Sequence, residues 1–149
     1  YNNRGRTLFI QGRLEESLKS YDKAIQFKPD YADAYNNRGI TLKVLRQPGE
    51  ALKSCDKAIQ IRPNFAEAHN NRGISLKILG RLNEAVASYD RAIQLKPDFG
   101  DAYSKLGDIY LKQGLSKKGL RMKRFGSHVI SFDTNSGIKI LGREKNETH

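Results

Sequence analysis

The chain has 149 residues, of which 38% are hydrophobic, and a net charge of +11. That length suits one compact domain or a short repeat array. A single cysteine, Cys55, excludes an internal disulfide and favours a reducing, cytoplasmic setting. No apolar run approaches the roughly 20 residues of a membrane-spanning helix.

The charge is unevenly spread. Residues 1–114 carry 19 basic and 13 acidic side chains and the rest carry 8 and 3, with no basic face interleaved with aromatics, which argues against nucleic acid as the partner. The chain opens on "YNNRG", repeats that word at Tyr35–Gly39 and writes "HNNRG" at His69–Gly73. Tyr1, Tyr35, His69 and Tyr103 are 34 residues apart, and Gly5, Gly39, Gly73 and Gly107 keep step. A period of this size is the signature of a repeat architecture. The chain starts inside a repeat and without Met, which reads as a piece of a longer protein.

Within each period the apolar spacing is helical. Tyr35, Gly39 and Leu42 share one face, as do His69, Gly73 and Leu76. A break at Gly12, Arg46, Gly80 or Gly114 separates this helix from a second one, such as "LNEAVASYDRAIQL", whose buried stripe holds Ala85, Tyr89, Ala92 and Ile93. Pro29, Pro63 and Pro97 end the second helices, because the residue before a proline is biased out of the α region. One such helix pair cannot bury its apolar faces, whereas stacked copies can.

These positions resemble the tetratricopeptide repeat (TPR) family, which sets an aromatic, a small residue, Ala, an aromatic, Ala and Pro at fixed steps. The third repeat supplies His69, Gly73, Ala85, Tyr89, Ala92 and Pro97, and the second supplies Tyr35, Gly39, Ala51, Cys55, Ala58 and Pro63. The first has Tyr1, Gly5, Ser17, Tyr21, Ala24 and Pro29. The resemblance implies an all-α fold, a right-handed superhelical array of antiparallel helix pairs. The expected divisions are repeat 1 at 1–30, repeat 2 at 31–64, repeat 3 at 65–98 and a partial repeat 4 with a capping helix at 99–126.

The fourth copy departs from the pattern. In "LSKKGLRMKRFG", Gly119, Lys123 and Gly126 stand where Ala, an aromatic and Ala are expected. This reads as a cap with a polar outer face; the sharper alternative makes Lys117, Lys118, Arg121, Lys123 and Arg124 a basic docking site. Beyond it, β-formers around Asp-Thr-Asn-Ser-Gly predict a short β-hairpin over 127–142, and 143–149 reads as a disordered tail.

Function is expected on the surface that the repeats leave open. Opposite the Tyr35 face run Asp33, Asn37, Ile40 and Val44, and one repeat on run Glu67, Asn71, Ile74 and Ile78. The first repeat offers Asn3, Arg6 and Ile10 there and the fourth offers Asp101, Lys105, Asp108 and Lys112, with Lys43 and Lys77 flanking the stripe. In TPR arrays the first helices line the concave groove, so the resemblance puts this stripe in it, with Asn36 and Asn70 at its edge. Asn3, Asn37 and Asn71 then form a ladder whose amides donate and accept, suited to a peptide backbone. The ladder is similar to that in the repeat superhelix of O-GlcNAc transferase; the competing reading is that these amides stay solvated or bond to neighbouring repeats. Arg38 and Arg72 lie on the other side, where Arg38 should meet Asp22 and Arg72 should meet Asp56 across the repeat junctions.

Three scattered histidines, and no metal-ligand spacing, phosphate loop or nucleophile elbow, leave an enzyme reading and a cofactor without support. The expected function is a non-catalytic scaffold that binds an extended peptide or protein segment. The alternatives are a self-assembly module, with homo-oligomers formed through the terminal repeat and hairpin, and the recognition arm of a larger enzyme.

Overall fold

Where the 34-residue period places helix breaks, backbone geometry supplies them. The computed structural model describes residues 1–128, which form α1 (Asn2–Ile10), α2 (Leu14–Phe27), α3 (Ala32–Val44), α4 (Pro48–Ile61), α5 (Ala66–Ile78), α6 (Leu82–Leu95), α7 (Gly100–Lys112) and α8 (Ser116–His128). Gly12, Gly80 and Gly114 sit at φ of 75°, 77° and 76°, and Arg46 holds the equivalent place at φ 59°. At each, two amides fold back onto the finished helix; at Arg46 these are Arg46 N–H to Lys43 O and Gln47 N–H to Leu42 O. This double bond is the usual way to end a helix on a left-handed residue. The second helices stop differently. Lys28, Arg62 and Lys96 adopt φ near −135° with ψ of 90°, 88° and 89°, the extended conformation imposed by the proline that follows each.

The chain divides into two compact units, Tyr1–Pro97 and a second beginning at Asp98. In the first, α1 pairs with α2, α3 with α4 and α5 with α6, while α2 packs on α3 and α4 on α5. The first helices also touch in series, α1 on α3 and α3 on α5, and the second helices make no comparable contact with one another. This unit therefore curves with α1, α3 and α5 on its concave side. The second unit, as described, is the α7–α8 pair.

Small residues set the distance within each pair. A Cβ on Gly5 would lie 2.6 Å from Tyr21 Cε1, and one on Gly73 would lie 2.7 Å from Tyr89 Cε1. Tyr21 and Tyr89 are 2% and 0% exposed, so there is nowhere for either ring to go. Between repeats 2 and 3, Ala32, Ala58, Phe65 and Ala68 form a buried cluster against which Tyr35, Ile59 and Ile61 pack.

The last pair differs from the sequence reading in three ways. Lys123 does not lie on a polar outer face: its stem packs on Gly107 in the slot of the missing aromatic, and its ammonium donates to Asp108 Oδ1 at 2.7 Å and Ser104 Oγ at 3.3 Å. A polar head at the end of a long apolar stem lets lysine fill such a slot. α8 also leaves Leu120 and Phe125 exposed, so its surface is mixed and not uniformly polar. Ser127 and His128, expected in a hairpin, end α8. No strand occurs among the described residues, and the rest of the expected hairpin and the tail lie outside them.

Candidate functional site

On the concave side of the first unit, α1 and α3 leave a cavity of about 250 Å³ lined by Arg6, Phe9, Ile10, Tyr21, Asn37 and Ile40. The 3.6-residue period puts Arg6 and Ile10 on one stripe of α1 and Asn37 and Ile40 on the matching stripe of α3. Tyr21 comes from α2, packs its ring against Gly5 and forms part of the cavity wall while itself 2% exposed. The structure thus brings four of the expected groove residues, Arg6, Ile10, Asn37 and Ile40, together around one space. Phe9 and Tyr21 were not among them. Tyr21 reads from sequence as pure core, and the only signal for its second role was the glycine opposite it.

The asparagines divide by position. Asn36 and Asn70 are 6% and 5% exposed, which removes them from the groove edge where the stripe had put them. The i−1 neighbour of a groove residue is turned 100° toward the adjoining repeat, and there it is covered. Asn37 Nδ2 donates to Asn2 Oδ1 at 3.1 Å and Asn71 Nδ2 donates to Asn36 Oδ1 at 2.9 Å, tying each first helix to the one before. Asn2 in turn donates to the Tyr31 hydroxyl at 3.1 Å. The ladder amides are thus partly engaged between repeats, as in the competing reading.

Their carbonyl ends are not equivalent. Asn71 Oδ1 lies 3.5 Å from Lys43 Nζ, a flanking lysine expected beside the groove. The residue one repeat before Lys43 is Phe9, which has nothing to donate, and no donor reaches Asn37 Oδ1 among the described residues. Asn37 thus presents an acceptor beside an apolar cavity. Asn3 is exposed on α1, Ile74 and Lys77 are half-buried on α5, and Lys105, on α7 of the second unit, lies 3.6 Å from Asp101.

The groove acids are also committed. Asp33 receives two bonds from Arg62, Nη2 to Oδ2 at 2.6 Å and Nη1 to Oδ1 at 3.1 Å, and Glu67 lies 3.7 Å from Lys96 one repeat later. Arg62 also stands 4.4 Å above the Phe65 ring. On the opposite side, Arg38 Nε donates to Asp22 Oδ1 and Arg72 Nε donates to Asp56 Oδ1, both at 2.7 Å. Each arginine further donates from Nη1 to a serine, Ser54 or Ser88, at 2.7 Å. That serine was not expected. It recurs as Ser20, Ser54 and Ser88 at the repeat period, which was the available signal.

Among the described residues no group of His, Cys, Asp or Glu is placed to hold a metal ion, and no helix is long and apolar enough to cross a membrane.

Stacked helix pairs with a first-helix groove define a helical-repeat solenoid. Family models described as TPR repeat and tetratricopeptide repeat match residues 5–43 with 75–114, 32–65 and 54–87. The chain belongs to the tetratricopeptide repeat family. Among solved structures it is similar to MamA, with TM-score 0.79 and 22% identity over 86% of this chain and 75% of that one, a likeness of fold. It is similar to the first TPR of Spaghetti (RPAP3) bound to the HSP90 peptide SRMEEVD, with TM-score 0.74 and 25% identity over 76% and 90%. It is also similar to the second TPR domain of human RPAP3 in complex with the HSP70 peptide SGPTIEEVD, with TM-score 0.69 and 28% identity over 72% and 89%. No curated protein sequence matches.

Proposed function

We propose that this chain is a protein-interaction scaffold that holds an extended peptide segment along the concave side of its first unit. The carrying observation is the α1–α3 cavity, where Asn37 Oδ1 stands open beside Phe9, Ile10, Tyr21 and Ile40. An apolar side chain of the peptide enters this space while a backbone N–H donates to Asn37. Arg6 at the rim favours an acidic residue next to it. The peptide-bound RPAP3 domains support the general reading, since they share this fold at 25% and 28% identity. The ladder narrows to Asn37 with help from Asn3 and Asn71.

A peptide array followed by titration of the best binder tests this. Asn37→Ala with Asn71→Ala should weaken binding by about fivefold per lost hydrogen bond, at roughly 1 kcal/mol each. Ile40→Asp should abolish binding while leaving helicity intact. An unchanged Kd in the double variant would remove the asparagines from the site; an unchanged Kd in Ile40→Asp as well would remove the groove.

A further inference from the structure

A second cavity, of about 370 Å³, opens on the other side of the first unit, lined by Asp56 and Ile59 of α4, His69 and Arg72 of α5, and Ala87, Ser88 and Arg91 of α6. Its origin is legible by comparing repeats. One period earlier the matching residues are Asp22, Ile25, Tyr35, Arg38, Lys53, Ser54 and Lys57. The Arg–Asp–Ser arrangement is the same at both junctions. What changes is that His69 replaces the tyrosine found as Tyr1, Tyr35 and Tyr103, Ala87 replaces a long side chain found as Lys19, Lys53 and Arg121, and Arg91 stands where the earlier repeats carry Lys23 and Lys57. Two large groups are exchanged for smaller ones beside an unchanged arginine.

The groups around this space leave specific valences open. Arg72 uses Nε and Nη1 on Asp56 and Ser88, which leaves Nη2. Arg91 uses Nη1 on Gln94 at 3.2 Å, which leaves Nε and Nη2. His69 Nε2 lies 3.0 Å from Pro63 O, an acceptor only, so Nε2 carries the hydrogen and Nδ1 is the remaining ring nitrogen. His69 and Arg72 are three apart on α5 and share a face, and Arg91 reaches the same cavity from α6. With Asp56 balanced by Arg72, Arg91 leaves one net positive charge before His69 is protonated.

We propose that this cleft is an oxyanion site, binding phosphate or a phosphate ester between Arg72, Arg91 and the imidazole of His69. Guanidinium groups match phosphate oxygens in geometry and charge. The volume is several times the ~30 Å³ share of one water, enough for the anion with attached atoms. The electrostatics couple binding to a proton. In the empty cleft, burial first and then the facing Arg91 and Arg72 hold His69 below the ordinary imidazole range, against the bond to Pro63 O, which acts the other way. An anion offsets the net positive charge left by Arg91 and accepts a bond from a protonated Nδ1, so it draws a proton onto the ring. Asp56 on α4, Arg72 on α5 and Arg91 on α6 are the charged groups lining the space around that ring.

The test is an NMR pH titration of the His69 ring at constant ionic strength, in chloride, in inorganic phosphate and with a phosphoserine peptide. His69→Tyr identifies the resonance and refills the cleft with the residue that Tyr1, Tyr35 and Tyr103 show the repeat accepts. The His69 midpoint should rise in phosphate, and affinity, referred at each pH to the phosphate dianion still present, should be about tenfold greater on the acid side of the transition than on the alkaline side. Arg91→Gln and His69→Tyr should each lose the effect. A response to inorganic phosphate supports a site for the free ion, and a response to the peptide alone supports one for an ester on a protein chain. A midpoint identical in all three solutions, or full phosphate binding by His69→Tyr, would overturn the proposal.

Discussion

Cys55 occupies the slot that Tyr21 and Tyr89 fill in the flanking repeats, and it is 0% exposed. Burial pushes its thiol up to about 12, so almost no thiolate exists at neutral pH. Cys55 should therefore resist a thiol reagent at pH 8 in the native protein and react fully in denaturant; fast labelling of the native state would contradict this burial. Arg46 carries a different strain, a left-handed backbone that the other three turns assign to glycine. Arg46→Gly should raise the unfolding free energy by about 1 kcal/mol, the usual cost of a side chain in that conformation, read from the denaturant midpoint. At His69 the sign of a pH effect can be worked out. Its folded pKa is lowered, so below about pH 6.5 the unfolded chain binds more protons than the folded one. In the absence of bound anions, acidification through that range should lower stability, and His69→Tyr should flatten the dependence.

Helix pairing rests on the glycines that admit a neighbouring ring. Gly73→Ala places a methyl 2.7 Å from Tyr89 Cε1, and overpacking of this kind costs roughly 1–3 kcal/mol. A denaturation midpoint that is unchanged or raised in Gly73→Ala would contradict it. At Gly80 a Cβ meets nothing within 4 Å, and backbone conformation is the sole cost. The junction arginines contribute less than their regularity suggests. Arg38 and Arg72 are about a quarter exposed and their aspartates about half, so each ion pair is worth at most about 1 kcal/mol. We assign them to fixing the angle at which one repeat meets the next. Sequence periodicity made helix ends, pair contacts and these ion pairs legible because each depends on residues at constant spacing. It failed at Asn36 and Asn70, because a helical wheel gives direction and not the distance to the neighbouring repeat that covers them.

Across the molecule, packing is unequal. α4 buries Ala51, Leu52, Ser54, Cys55 and Ala58, whereas among the described residues of α8 Gly119 and Gly126 are buried and Leu120 and Phe125 are exposed. In a repeat protein each element is stabilised by its immediate neighbours, so α8 amides should exchange hydrogen at a lower opening free energy than those of α4. Equal protection of the two helices would contradict this. The sequence by itself determined the helical repeat, its turns and its family, because a 34-residue period, proline stops and left-handed turn residues act locally. Tertiary structure alone decided which amides were already spent between repeats, that Asn37 kept an open carbonyl because Phe9 cannot donate, and that His69 and Ala87 left a charged cleft. Those outcomes depend on the atoms that residues 16 to 35 positions apart bring to one place, and no pattern within a single repeat records them.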